Sequence, residues 1–173
     1  CSSDLGTFVR SPEEMDKSPL ALAMESQNAN LIDLLEVRMG MECNAAALAA
    51  QRADSEDIRL LERSIDQMRQ EVNDGQLGNE PDVSFHMAIT YATKNPLHVY
   101  LMKNMFDFLF VGIKEYLRHL YEEPGNIPEI LKQHTAVVEA IKSGNPEKAY
   151  KAMKKHITYV MDFFKEREGK IHL

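Results

Sequence analysis

From residue 19 onward the apolar residues recur with a period close to 3.6, and the breaks between periodic stretches fall at Gly, Asn and Pro. A pattern of that kind leaves almost no room for strands. The chain is therefore expected to be all-α, an antiparallel bundle of about six to seven helices. "NLIDLLEVRMGMECNAAALAAQRA" (30–53) and "DSEDIRLLERSIDQMRQEVND" (54–74) read as two antiparallel helices, the second opening on an Asp/Ser cap signal with early acids. "GQLGNEP" breaks the pattern, and Pro81 suits the first turn of a helix that runs to about Lys94. Asn95-Pro96 restarts the chain into one long apolar helix through about Tyr121, and Pro128 begins another that stops at "SGNP" (143–146). The last helix runs from Pro146 to about Glu168, with a short additional one expected near residues 18 to 24.

At 173 residues and 44% apolar content, one domain with a real core is expected. The formal charge of −7, from 27 acids against 20 bases with no basic block, argues against this chain gripping a phosphate backbone or an anionic membrane by itself. Two cysteines, Cys1 and Cys43, are too few for a disulfide framework or a cysteine zinc site, which fits a reducing cytoplasm. No apolar run approaches the roughly 20 residues that cross a bilayer. The first ten residues stand apart: "GTFV" is strand-like and leads into the polar linker "SPEEMDKSP".

Inside the apolar run "PDVSFHMAITYA", Asp82 and His86 are i and i+4 and share a helix face with Phe85 and Ile89. His134 sits on the stripe marked by Ile130, Val137, Val138 and Ile141, and His156 on the stripe of Met153, Val160 and Phe163. Three histidines and a carboxylate thus point inward from three helices. Any one of them is most simply a core residue with a hydrogen-bond partner. If their helices adjoin, however, four unpaired polar groups would be expensive to bury, whereas a divalent cation takes imidazole nitrogens and a carboxylate oxygen together. No HExxH or di-iron Glu-x-x-His spacing is present.

Arg38 lies on the apolar stripe of the first long helix, where a guanidinium needs an anionic partner. Glu42, four residues on, could supply it within the helix. The alternative is a bidentate grip on a ligand carboxylate.

These residues together resemble the C-terminal effector domain of GntR-type bacterial transcription regulators of the FadR-like branch, often called FCD. The resemblance rests on "DVSFHMAI", "LKQHTAVVEAIKSGNPEKA" and "MKKHI", which place Asp82, His86, His134 and His156 in the order of that family's metal-binding members. It rests also on "LLEVRMGMECNAAALAAQRA" and on "KNP" at 94–96, and it covers residues 18–168. It implies a metal held by Asp82, His86, His134 and His156, an effector facing Arg38, and a homodimer. Residues 1–10 would be the tail of the wing of a truncated winged-helix DNA-binding domain, 11–17 a linker, and 18–173 the helical effector- and metal-binding domain. Asp4 stands where the family usually has a second Gly of the wing.

The expected function is a ligand-sensing regulatory domain, not an enzyme, that acts on operator DNA only through the missing N-terminal domain. The effector would be a small carboxylate: a hydroxy acid, keto acid, sugar acid or dicarboxylate. Nitrogen-rich ligation suits zinc or nickel, with manganese and iron admissible. The alternative is a metal-dependent hydrolase or lyase acting on a small carboxylate. What that alternative lacks is a general base, since Glu42 paired with Arg38 would be a poor proton carrier.

Overall fold

The computed structural model describes residues 22, 26–75, 79–112, 114–123 and 125–167, without the side chains of 79 and 107–117. Seven helices lie within them: α1 (Leu31–Arg52), α2 (Ser55–Asn73), α3 (Asn79–Ala92), α4 (Pro96–Gly112), α5 (Lys114–Glu122), α6 (Asn126–Lys142) and α7 (Pro146–Lys165). No strand occurs among the described residues. The proposed wing at 1–10, the linker at 11–17, Cys1 and His172 lie outside them, as does most of the short helix expected near 18–24.

The boundaries follow local chemistry. Asn30 accepts from the Asp33 backbone N–H while the Asp33 carboxylate accepts from the Asn30 N–H, a reciprocal cap that starts α1. Asp54 and Asp57 repeat that arrangement at the start of α2. The Asn95 side chain accepts from the N–H groups of Leu97 and His98 and so opens α4. Between α6 and α7, Gly144 adopts φ +63° and Asn145 caps the next helix through the Lys148 N–H. That left-handed turn is cheap for glycine, and the hairpin read from "SGNP" is the one observed.

The stretch expected as a helix over 97–121 is helical through Gly112 as α4 and from Lys114 as α5, and Ile113 between them lies outside the described residues.

α1 packs most extensively along α7, α2 lies against α3 and α6, and α6 and α7 form an antiparallel pair. α3 also contacts α1, so it sits inside the bundle. The main core runs through Leu35, Ala46, Leu61, Phe85, Ile89, Val137, Met153 and Ile157, and a smaller cluster of Leu34, Met102, Met105 and Phe106 joins α1 to α4. Alanines at 45, 46 and 49 on α1 are fully buried, which lets α1 approach its neighbours closely. No helix among the described residues is long and apolar enough to cross a membrane.

Candidate metal centre

Asp82 and His86 reach inward from α3, His134 from α6 and His156 from α7, and all four are buried. One ligand atom from each lies within 4.8 Å of all the others. Nε2 of His134 is 3.3 Å from Nε2 of His156 and 3.4 Å from Oδ1 of Asp82, and Nε2 of His86 is 3.6 Å from the same carboxylate oxygen. The four residues singled out from the sequence are therefore brought together at one point by three helices.

The far side of each ring tells which nitrogen is free. His156 Nδ1 donates to Gln133 Oε1 at 3.0 Å, and His86 Nδ1 donates to Glu42 Oε2 in a short contact. A neutral imidazole protonated at Nδ1 carries its lone pair on Nε2. The Nε2 of His156 thus turns its lone pair toward His134, and the Nε2 of His86 carries its lone pair beside Asp82 and Arg38. The His134 Nδ1 is buried without a hydrogen-bond partner, and its ring stacks on Phe85 at 4.1 Å between centroids. Three converging nitrogens and one carboxylate oxygen, in a pocket closed to water, are a donor set that fits a divalent cation.

The electrostatics agree with neutral imidazoles at His134 and His156. Burial pushes His134 down to about 3, and neighbouring His86 and Arg38 oppose its charge further, against Asp82. Burial, then His134 and His86, hold His156 well below its usual range. Burial by itself would raise the Asp82 carboxyl, but His86, His134 and Arg38 outweigh it and hold that group well below the carboxylate range. For His86, burial opposes charge while Glu42 and Asp82 favour it, and the balance is upward. The geometry argues the other way. Arg38 Nη2 lies 3.0 Å from His86 Nε2, and an obligate donor at that distance requires a lone pair there, so the neutral Nδ1–H form is the one this arrangement holds.

Arg38 is buried beside this cluster. Its Nε donates to Glu42 Oε1, and its guanidinium carbon lies 5.4 Å from the centroid of the Phe106 ring. The intrahelical partner is therefore present, and Arg38 also borders the four-residue cluster through His86. Burial raises the Glu42 carboxyl, but Arg38 and His86 bring it below its ordinary value.

Two neighbours were not legible as site residues, and a third, Glu42, was legible only as the partner of Arg38. Tyr121 is buried near Asp82, and burial followed by that carboxylate keeps its pKa well above the usual tyrosine value. Gln133 orients His156, and Glu42 holds His86 as well as Arg38. Gln133 directly precedes His134 on a buried helix, which is a weak signal. Tyr121 gives none, because its link to Asp82 spans separate helices.

The chain was compared with known proteins. It is 28% identical over 159 residues to the HTH-type transcriptional regulator LutR of Bacillus subtilis (strain 168), covering 91% of this chain and 73% of that protein. It is 31% identical over 160 residues to the putative L-lactate dehydrogenase operon regulatory protein of Escherichia coli (strain K12), of which it spans 61% while 90% of this chain is matched. In fold it is similar to Streptococcus agalactiae GntR, with a TM-score of 0.67, 23% identity, and coverage of 94% of this chain and 73% of the other. Residues 33–159, a stretch that takes in Arg38, Glu42, Asp82, His86, His134 and His156, match the FCD domain, and the chain belongs to the FCD domain family.

Proposed function

We propose that this chain is the effector-sensing domain of a GntR/FadR-type transcription regulator, binding a divalent cation through Asp82, His86, His134 and His156 and a small carboxylate beside Arg38. The observation that carries the reading is the convergence of four buried ligand atoms within 4.8 Å, drawn from three helices. The relationship to LutR and to a putative L-lactate dehydrogenase operon regulatory protein supports the regulatory role and a hydroxy-acid-sized effector. Bound there, the cation would supply a Lewis-acidic position for a carboxylate oxygen. Zinc or nickel suits three imidazoles best, and manganese or iron is admissible.

The protein's own groups set the preference for an anion. Arg38 and Glu42 cancel in charge, and a divalent ion exceeds the Asp82 carboxylate by one, which leaves the site net positive. A small carboxylate neutralises it and meets the guanidinium with charge-assisted hydrogen bonds. Tyr121 stays neutral beside Asp82, since burial and that carboxylate keep its pKa well above the usual tyrosine value. A hydrolytic reading lacks a base, because Glu42 is committed to Arg38 and His86 and is held below its ordinary pKa. Operator binding would belong to a winged-helix domain preceding this one, and the effector could alter DNA affinity only by binding its competent and incompetent arrangements differently.

Metal analysis after mild purification tests the first half. One equivalent is expected in the wild type and none in the His134→Ala/His156→Ala double variant, and a full equivalent in that variant would remove the assignment. For the second half, Arg38→Ala should keep the metal but weaken a co-purified carboxylate by about 10- to 150-fold, the loss of a charge-assisted pair worth roughly 1.5–3 kcal/mol. Calorimetry with that ligand reads the difference, and wild-type affinity in the variant would return Arg38 to a purely structural partner of Glu42.

A further inference from the structure

An imidazole can give a metal only the nitrogen that its other nitrogen's partner leaves free. At this centre two such partners are built into the bundle and are as buried as the ligands, with Glu42 1% and Gln133 4% exposed. Neither can be replaced by bulk water. Gln133 is itself oriented, since its amide nitrogen donates to Glu129 Oε1 at 3.0 Å and its carbonyl is thereby turned to His156 Nδ1. Glu42 divides its two oxygens, Oε1 accepting from Arg38 Nε and Oε2 from His86 Nδ1. Only a carboxylate can accept from both sides. A glutamine at position 42 would offer one acceptor and set its NH₂ against the other donor. His134 provides the contrast, with stacking on Phe85 and no partner at Nδ1.

We infer that Glu42 and Gln133 are positioning residues of the metal centre, which lock His86 and His156 as Nδ1–H tautomers and so keep the lone pair of each ring on Nε2, beside Asp82 and His134; that of His86, which accepts from Arg38 Nη2, passes to the cation when one binds. The inference rests on the metal reading above and deepens it. Glu42 has a further consequence: because it also holds Arg38, the metal ligand His86 and the guanidinium that faces the effector share one carboxylate. Whatever moves Arg38 moves the orienting partner of a ligand.

The test uses Zn²⁺ alone, titrated into the full chain against a chromophoric chelator, together with imidazole ¹H–¹⁵N spectra that distinguish Nδ1–H from Nε2–H rings. In the Zn²⁺-loaded wild type, His86 and His156 should both read as protonated at Nδ1. Glu42→Gln and Gln133→Leu should each weaken Zn²⁺ by about 10- to 100-fold, the usual cost of removing an outer partner of a ligating histidine. Each should also disturb the Nδ1–H resonance of only the ring it faces. Since Glu42→Gln leaves a buried donor unsatisfied, melting of the metal-free variants is followed in parallel; if it does not fold, the wild-type His86 spectrum decides the Glu42 half. A wild type that binds Zn²⁺ with either ring protonated at Nε2 would overturn the inference, as would unchanged affinity in both folded variants. A wild type that binds no Zn²⁺ would overturn the metal reading itself.

Discussion

Arg38 is 3% exposed and Glu42 1%, a depth at which neither charge would be tolerated alone. They persist because each completes the other and because Glu42 has a second donor to satisfy in His86. The histidines solve the same problem differently, by staying neutral. That choice makes a pH dependence. The folded pKa values of His134 and His156 lie below the unfolded value of about 6.5. Below that pH the unfolded chain takes up protons that the fold refuses, so stability falls on acidification. In the chelator-treated chain the slope should reach about 1.4 kcal/mol per pH unit for each of the two rings. For His134 it should end only near its folded value of about 3. Urea midpoints at a series of pH values measure this, and a flat profile below pH ~6.5 would contradict neutral burial.

Among the elements, the α6–α7 hairpin matters most for the centre, since it carries two of the three histidines on adjacent helices. Its turn was legible because Gly144 supplies the left-handed conformation and Asn145 caps α7 through its own side chain. Asn145→Ala removes that cap and should cost about 1 kcal/mol, as such caps usually do. Denaturant melting checks the value. Metal stoichiometry should not change, since the cap lies nearly three turns before His156 and touches no ligand. The α3–α4 junction is pinned from outside as well: Arg52 donates to the Thr93 carbonyl at 2.9 Å, and Lys94 reaches Asp57 at 2.6 Å across to α2.

For the whole molecule, a cation held by α3, α6 and α7 would cross-link helices that are far apart in sequence. Binding only the folded arrangement, it would add stability that depends on its free concentration. Chelation should therefore lower the melting temperature, and readdition of Zn²⁺ should restore it. With the ion held at about 100 times its dissociation constant, the gain should be roughly 2.7 kcal/mol. An unchanged melting curve after proven metal removal would show that the bundle packs equally well without it. The extensive α1–α7 contact and the buried alanines of α1 make the scaffold itself independent of the ion, so the metal-free chain should remain folded near neutral pH.

Periodicity and punctuation carried the all-α class, the α6–α7 pairing and the inward direction of Asp82, His86, His134 and His156, because those properties are local and repeat along each helix; the pairing expected of α1 with α2 is not observed, since α2 lies against α3 and α6. The resemblance to FCD domains, read in part from the order of Asp82, His86, His134 and His156, agrees with the family match. What periodicity could not give was distance. That one ligand atom from each of the four residues lies within 4.8 Å of the others depends on how α3, α6 and α7 pack, a matter of packing between elements rather than of pattern within one. The same holds for the second use of Glu42 and for Tyr121 and Gln133. Spacing along α1 could pair Glu42 with Arg38, but only the approach of α3 brings His86 to its other oxygen.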